Sequence, residues 1–77
     1  MTDYAMTETE TKMMRRAAAH DQGPERPGFA YAYGDDETEA AETLEDAGFF
    51  ARHYYRMTGD TVFRMTHAGR AMAEAMP

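Results

Sequence analysis

Between Phe29 and Tyr33 the chain alternates strictly, with aromatic rings at 29, 31 and 33 and alanines at 30 and 32. A period of two predicts a strand. Upstream the period is helical from Glu8 to about His20. Met14, Ala17 and Ala18 share one face with Met13 beside it, while Lys12, Arg16 and Ala19 lie opposite. Glu8 stands four residues before Lys12, the favourable order for a helical ion pair. Gly23, Pro24, Pro27 and Gly28 stop this helix. A second helix is predicted from about Glu37 to Ala47. Ala40, Ala41, Leu44 and Ala47 form its apolar stripe, Asp36 and Glu39 make a capping-box-like start, and Gly48 stands where a left-handed stop belongs.

Residues 49–66 predict a β-hairpin. Gly59–Asp60 suits a two-residue type II′ turn. That register sets Thr58 opposite Thr61, Met57 opposite Val62, Arg56 opposite Phe63, Tyr55 opposite Arg64 and Tyr54 opposite Met65. Tyr54, Phe63 and Met65 then share the expected core side, with Arg56 near the tip. His53, Tyr55, Met57, Val62 and Arg64 share the expected open side. Thr66 is a good N-cap for a last helix over 67–76, with Met72 and Met76 facing inward. The expected order is helix, strand, helix, β-hairpin, helix. That is one small α+β domain over residues 8–77, behind a polar, flexible tail at 1–7. The pattern leaves open whether 29–33 joins the hairpin in one sheet.

Composition makes the expected core thin. The chain has 77 residues; alanine (14) and methionine (8) dominate its apolar positions, with one leucine, one valine and no isoleucine. Alanine buries little area and methionine specifies packing weakly. The five Tyr and four Phe are therefore expected to supply much of the core. So small a core is often completed by self-association or by docking on a partner, so a homodimer is one expectation. There is no cysteine, which removes disulfides and thiolate metal sites and fits a cytoplasmic protein. No apolar run has the length of a membrane span, and the N-terminus lacks the pattern of a secretory signal.

The formal net charge is −6, unevenly spread. Residues 35–46 hold seven acids and no base, whereas residues 52–70 hold Arg52, Arg56, Arg64 and Arg70 against Asp60 alone. Glu39, Glu42 and Asp46 line the expected outer face of the second helix. The Asp35–Asp36–Glu37 cluster lacks the alternating spacing of a calcium loop, and acids gather at helix starts for the sake of the dipole. His20, His53 and His67 have no zinc-ligand spacing, and no serine is available as a nucleophile. No metal, no cofactor and no enzymatic activity are expected.

The segment from Thr43 to Met76 resembles the second half of a winged-helix domain. LEDAGFFAR looks like the end of a recognition helix and its turn into the wing. VFRMTHAGRA is similar to the second wing strand and following helix of bacterial regulators of the MarR and PadR kind, and of small phage proteins. Phe63, Arg64, Met65, Thr66, Ala68, Gly69 and Arg70 fill that motif, with methionine replacing the usual aliphatic. The resemblance implies a winged-helix-like fold. Two departures qualify it. Residues 21–34 replace one helix of the three-helix core, and the recognition helix is acidic where DNA readers carry Arg, Lys, Asn or Gln.

Two functions follow as expectations. In the first, the domain is a small non-enzymatic inhibitor or adaptor of phage or mobile-element type. It engages a basic nucleic-acid-handling protein or complex through Asp35, Asp36, Glu39, Glu42 and Asp46, whose carboxylates imitate phosphates. By size and charge it is analogous to anti-CRISPR and anti-restriction inhibitors. In the second, it is a winged-helix transcription regulator that binds nucleic acid directly through Arg52, Tyr55, Arg56 and Arg64, Tyr55 and Arg64 facing each other on the open side.

Overall fold

The computed structural model describes residues 5–76, so residues 1–4 of the expected tail lie outside it. Helix α1 is Glu8–Ala18, strand β1 Phe29–Ala30, helix α2 Gly34–Asp46, strand β2 Phe50–Tyr55, strand β3 Asp60–Met65 and helix α3 His67–Ala75. The fold is a small α+β domain with the expected order of elements. The first strand does join the hairpin: the three strands form one antiparallel sheet in the order β1–β3–β2.

The helices cover one face of that sheet. Met13, Met14 and Ala17 of α1 and Ala40, Ala41 and Leu44 of α2 pack with Ala30, Phe49, Phe50, Phe63 and Met65. Met72 and Met76 pack against this core from the C-terminal side as expected, and so does Met6 from the N-terminal side. Thr7 caps α1 in a full capping box with Glu10. Residues 6 and 7 therefore belong to the domain rather than to the tail. Ala18, expected on the apolar face of α1, is exposed; the buried stripe runs through Glu10, Met13, Met14 and Ala17.

The aromatics contribute less than composition suggested. Among the described residues only Phe49, Phe50 and Phe63 are buried aromatics. Along β1 the alternation is opposite to what ring size favours: Ala30 is buried and Phe29 exposed. The cause is the closeness of α1. A Cβ placed on Gly28 would meet the Ala17 carbonyl oxygen at 2.0 Å, so only small side chains fit beneath the helix. The strand is also shorter than the alternation. Arg16 takes the Tyr31 carbonyl as a hydrogen-bond acceptor at 3.0 Å, and pairing with β3 stops at Ala30.

The hairpin differs from expectation in register. Phe50 pairs with Met65, Arg52 with Phe63, His53 with Val62 and Tyr55 with Asp60. The two-residue turn would have carried Phe50 past the end of the strand, opposite Gly69 in α3. Pairing Phe50 with Met65 keeps both in the core. The connection then becomes the four residues 56–59, closed by the Gly59 N–H donating to the Tyr55 carbonyl at 2.8 Å. The displacement is even, so each side chain keeps its expected face. Tyr54, expected in the core, is 58% exposed because the helices cover only the Phe50 end of β2.

Helix α2 begins three residues early, and the expected Asp36–Glu39 capping box does not form. Tyr33 is the N-cap and offers no side-chain cap; Glu37 Oε1 accepts the Tyr33 N–H instead, at 2.9 Å. The far end matches expectation. Gly48 takes φ +90°, the Phe49 N–H donates to the Leu44 carbonyl at 2.9 Å, and the Gly48 N–H donates to Glu45 at 3.0 Å.

Helix α3 docks through residues of the VFRMTHAGRA motif. The Thr66 N–H donates to the Phe49 carbonyl at 3.0 Å, and the Thr66 hydroxyl accepts the Gly69 N–H at 3.0 Å. Arg70 forms a bidentate pair with Asp21: Nε to Oδ2 at 2.8 Å and Nη2 to Oδ1 at 2.7 Å. Gly69 passes so close to the backbone just before β2 that an added Cβ would sit 2.1 Å from the Phe49 carbonyl oxygen. That oxygen belongs to backbone and cannot swing aside. Gly69→Ala is expected to destabilise the domain by roughly 1–3 kcal/mol or more, as overpacked cores do. Thermal or urea unfolding of this single variant checks it; a midpoint equal to wild type would refute the tight crossing.

Candidate functional site

The second helix turns a regular row of carboxylates to solvent. Its apolar stripe is Ala40, Ala41 and Leu44. On the opposite side Asp35, Glu39, Glu42 and Asp46 recur at intervals of four, three and four residues, which aligns them along one face. All four are exposed, and so is Asp36 at the flank. At about 1.5 Å of rise per residue the row is roughly 16 Å long. Asp35, Asp36, Glu39 and Asp46 make no ion pair among the described residues. Asp36 and Glu39 also border a shallow groove of about 260 Å³, completed by Thr7, Thr9, Glu10, Ala40 and Thr43.

The remaining acids of this helix are engaged. Arg52 reaches across from β2 to Glu45 at 2.9 Å and Glu42 at 3.4 Å. These contacts are solvent-exposed and add little stability. Their main effect is to offset charge at one end of the row.

Glu37 faces the other way and joins two helices. Arg16 Nη1 and Nη2 donate to its two oxygens at 2.7 and 3.1 Å, and Lys12 Nζ lies 3.6 Å away. Pattern alone had paired Lys12 with Glu8 and left Arg16 on the solvent side of α1. With the guanidinium of Arg16 and the Tyr33 N–H on it, the Glu37 carboxyl is pulled down to about 2. Asp21 is pulled down likewise to about 2, by Arg70 first and then by the backbone N–H groups of Gly28 and Gly23.

The arginines of the alternative reading do not form one cluster. Arg52 lies on the helix side, 5.3 Å from the Phe63 ring, and is held by the acids of α2. Arg56 is exposed in the loop at the hairpin tip, without an ion pair among the described residues. Tyr55 and Arg64 do meet, although Arg64 is registered with Ala51 and Tyr55 with Asp60. Arg64 Nη2 donates to the Tyr55 hydroxyl at 2.9 Å and its guanidinium carbon lies 5.8 Å from the ring centroid. Sequence reasoning had already put His53 on this open face with them, but it missed Phe29. Phe29 pairs with Arg64 across β1 and β3, and the His53 ring packs edge-on against Tyr55 at 4.6 Å. The signal was the FAYAY alternation, once its rings are assigned to the outer face.

Among the described residues no group of three or more acidic or histidine side chains is arranged to hold a metal ion. None of the described helices is long and apolar enough to cross a membrane. Comparison with protein-family models, curated proteins and solved structures finds no match.

Both depressed carboxyls ionise more readily in the folded chain than in the unfolded one, where such groups titrate near 4. Their stabilisation is thus fully present above about pH 5 and is lost as pH falls toward 2. Urea midpoints measured from pH 7 down to pH 2 are expected to fall over that window. Asp21→Asn and Glu37→Gln are expected to flatten the decline; equal slopes in wild type and both variants would count against these pairs.

Proposed function

We propose that this domain is a small non-enzymatic inhibitor or adaptor, of the type phages and mobile elements encode, that engages a basic nucleic-acid-handling protein. The observation that carries this reading is the row Asp35–Glu39–Glu42–Asp46 on the outer face of α2. Its spacing averages about 5.5 Å along the axis, within a factor of two of the roughly 3.4 Å per charge of one DNA strand. Long-range attraction to such a row raises encounter rates and discriminates against acidic partners.

The scaffold supports a winged-helix-like reading. An acidic α2 stands where a reading helix would, the hairpin follows as the wing, and α3 closes the domain. The strand order β1–β3–β2 fits that arrangement, with the segment between α1 and α2 standing in for the missing helix. Carboxylates on the reading helix would repel phosphates, which favours a protein partner over a duplex.

In a displacement assay the domain is expected to release a labelled duplex from a basic duplex-binding protein, less effectively as salt rises. Changing Glu39, Glu42 and Asp46 together to lysine is expected to weaken displacement roughly tenfold or more, since charged rims set association. The thermal midpoint should hold, because all three side chains are exposed. Displacement unaltered by the triple reversal would sink the proposal. Salt-sensitive binding of the domain itself to duplex, lost with Arg56→Ala and Arg64→Ala, would put the regulator reading in its place.

A further inference from the structure

The face of the sheet turned away from the helices carries a second, chemically opposite surface. Ala30, Phe50, Phe63 and Met65 point to the helices and the core. Their neighbours along each strand therefore point the other way. On that side Phe29 stands beside Arg64, and Arg64 beside Ala51. One step along, His53 stands beside Val62, and Tyr55 follows beside Asp60. Val62 is fully buried there although it lies outside the main core, so it floors the surface. Phe29 is 36% exposed and Tyr55 38%.

The rings on this side are ordered by one another. His20, at the end of α1, stacks on Phe29 with centroids 5.1 Å apart and planes within 18°. Phe29 meets Tyr31 edge-on at 6.0 Å. Arg64 is tied to Tyr55 through its hydroxyl, which fixes the guanidinium and leaves it without a carboxylate among the described residues. Asp60, at the loop end, is the only acid the strands place on this side.

We infer that this face binds single-stranded nucleic acid, its bases stacking on Phe29 and Tyr55 and a phosphate taken by Arg64. Rings with a π-face accept any base, and an arginine between them supplies both charge and a stacking plane. The net charge of −6 does not forbid the site. A helix is about 10 Å across, so the acids on the outer side of α2 lie beyond a Debye length of about 8 Å at physiological salt. The inference is independent of the acidic-row reading, because it uses the opposite side of the molecule.

Fluorescence anisotropy with a labelled oligothymidylate and a labelled mixed-sequence duplex tests it. The single strand is expected to bind in preference to the duplex, more weakly as salt rises, with quenching of tyrosine emission as bases stack. Tyr55→Ala and Phe29→Ala should each weaken binding roughly tenfold, in line with the loss of one stacked base. Arg64→Glu should abolish it, and Arg64→Lys should restore part of it. Circular dichroism melts of the same variants separate loss of the site from loss of the fold. The lysine reversal of Glu39, Glu42 and Asp46 should leave single-strand binding in place. No binding at low salt, affinity unchanged in Tyr55→Ala and Arg64→Glu, or sedimentation as a dimer that Arg64→Glu dissociates would each overturn the inference.

Discussion

The pair between Arg70 and Asp21 holds together what the thin core alone does not. Its partners stand far apart in sequence and close the last helix onto the turn that follows the first. Asp21 does more than pair with Arg70, for its Oδ1 also accepts the Gly28 N–H at 3.0 Å. One carboxylate thereby sets the entry of β1 and the docking of α3. A second such junction, between Arg16 and Glu37, joins α1 to α2 and catches the carbonyl of Tyr31 on the way. In a chain with one leucine and one valine, charge-assisted hydrogen bonds take over part of the positioning that branched aliphatics usually provide.

The elements were legible because each carries its own local signal. Gly48 and Thr66 marked a helix end and a helix start through backbone chemistry, independent of anything distant. What local pattern could not supply was long-range geometry. The hairpin register depended on Phe50 finding Met65, a contact across the whole hairpin, and the glycine at its tip pointed to a shorter turn. The inside of β1 depended on how closely α1 crosses it, and no residue of FAYAY reports that distance. Arg16 looked like a solvent-facing charge and Glu37 like one more acid at a helix start, because their pairing spans two helices.

The acidic row was legible for the same local reason: helical spacing and an absence of bases within one element. The arginines were harder. Arg52, Arg56 and Arg64 are similar in sequence context, yet the fold sends one to the helix layer, one to the tip and one to the open face. The domain is consequently two-sided, with carboxylates outside α2 and rings with arginine outside the sheet. The VFRMTHAGRA motif that prompted the winged-helix resemblance turned out to serve architecture, through the hydroxyl of Thr66, the bare Cα of Gly69 and the fork of Arg70.

The methionines add a chemical gradient to this plan. Met57 at the hairpin tip is 99% exposed, whereas Met13 and Met14 are fully buried and Met65 is 5% exposed. Thioether oxidation follows access, so mild peroxide converts the tip to a sulfoxide while the interior stays reduced. The hairpin thus carries a built-in footprinting probe, in which protection of Met57 by mass spectrometry reports whatever covers the tip. The same gradient gives an inverse readout of opening: sulfoxide at Met13 or Met14 marks molecules whose helix layer has lifted from the sheet.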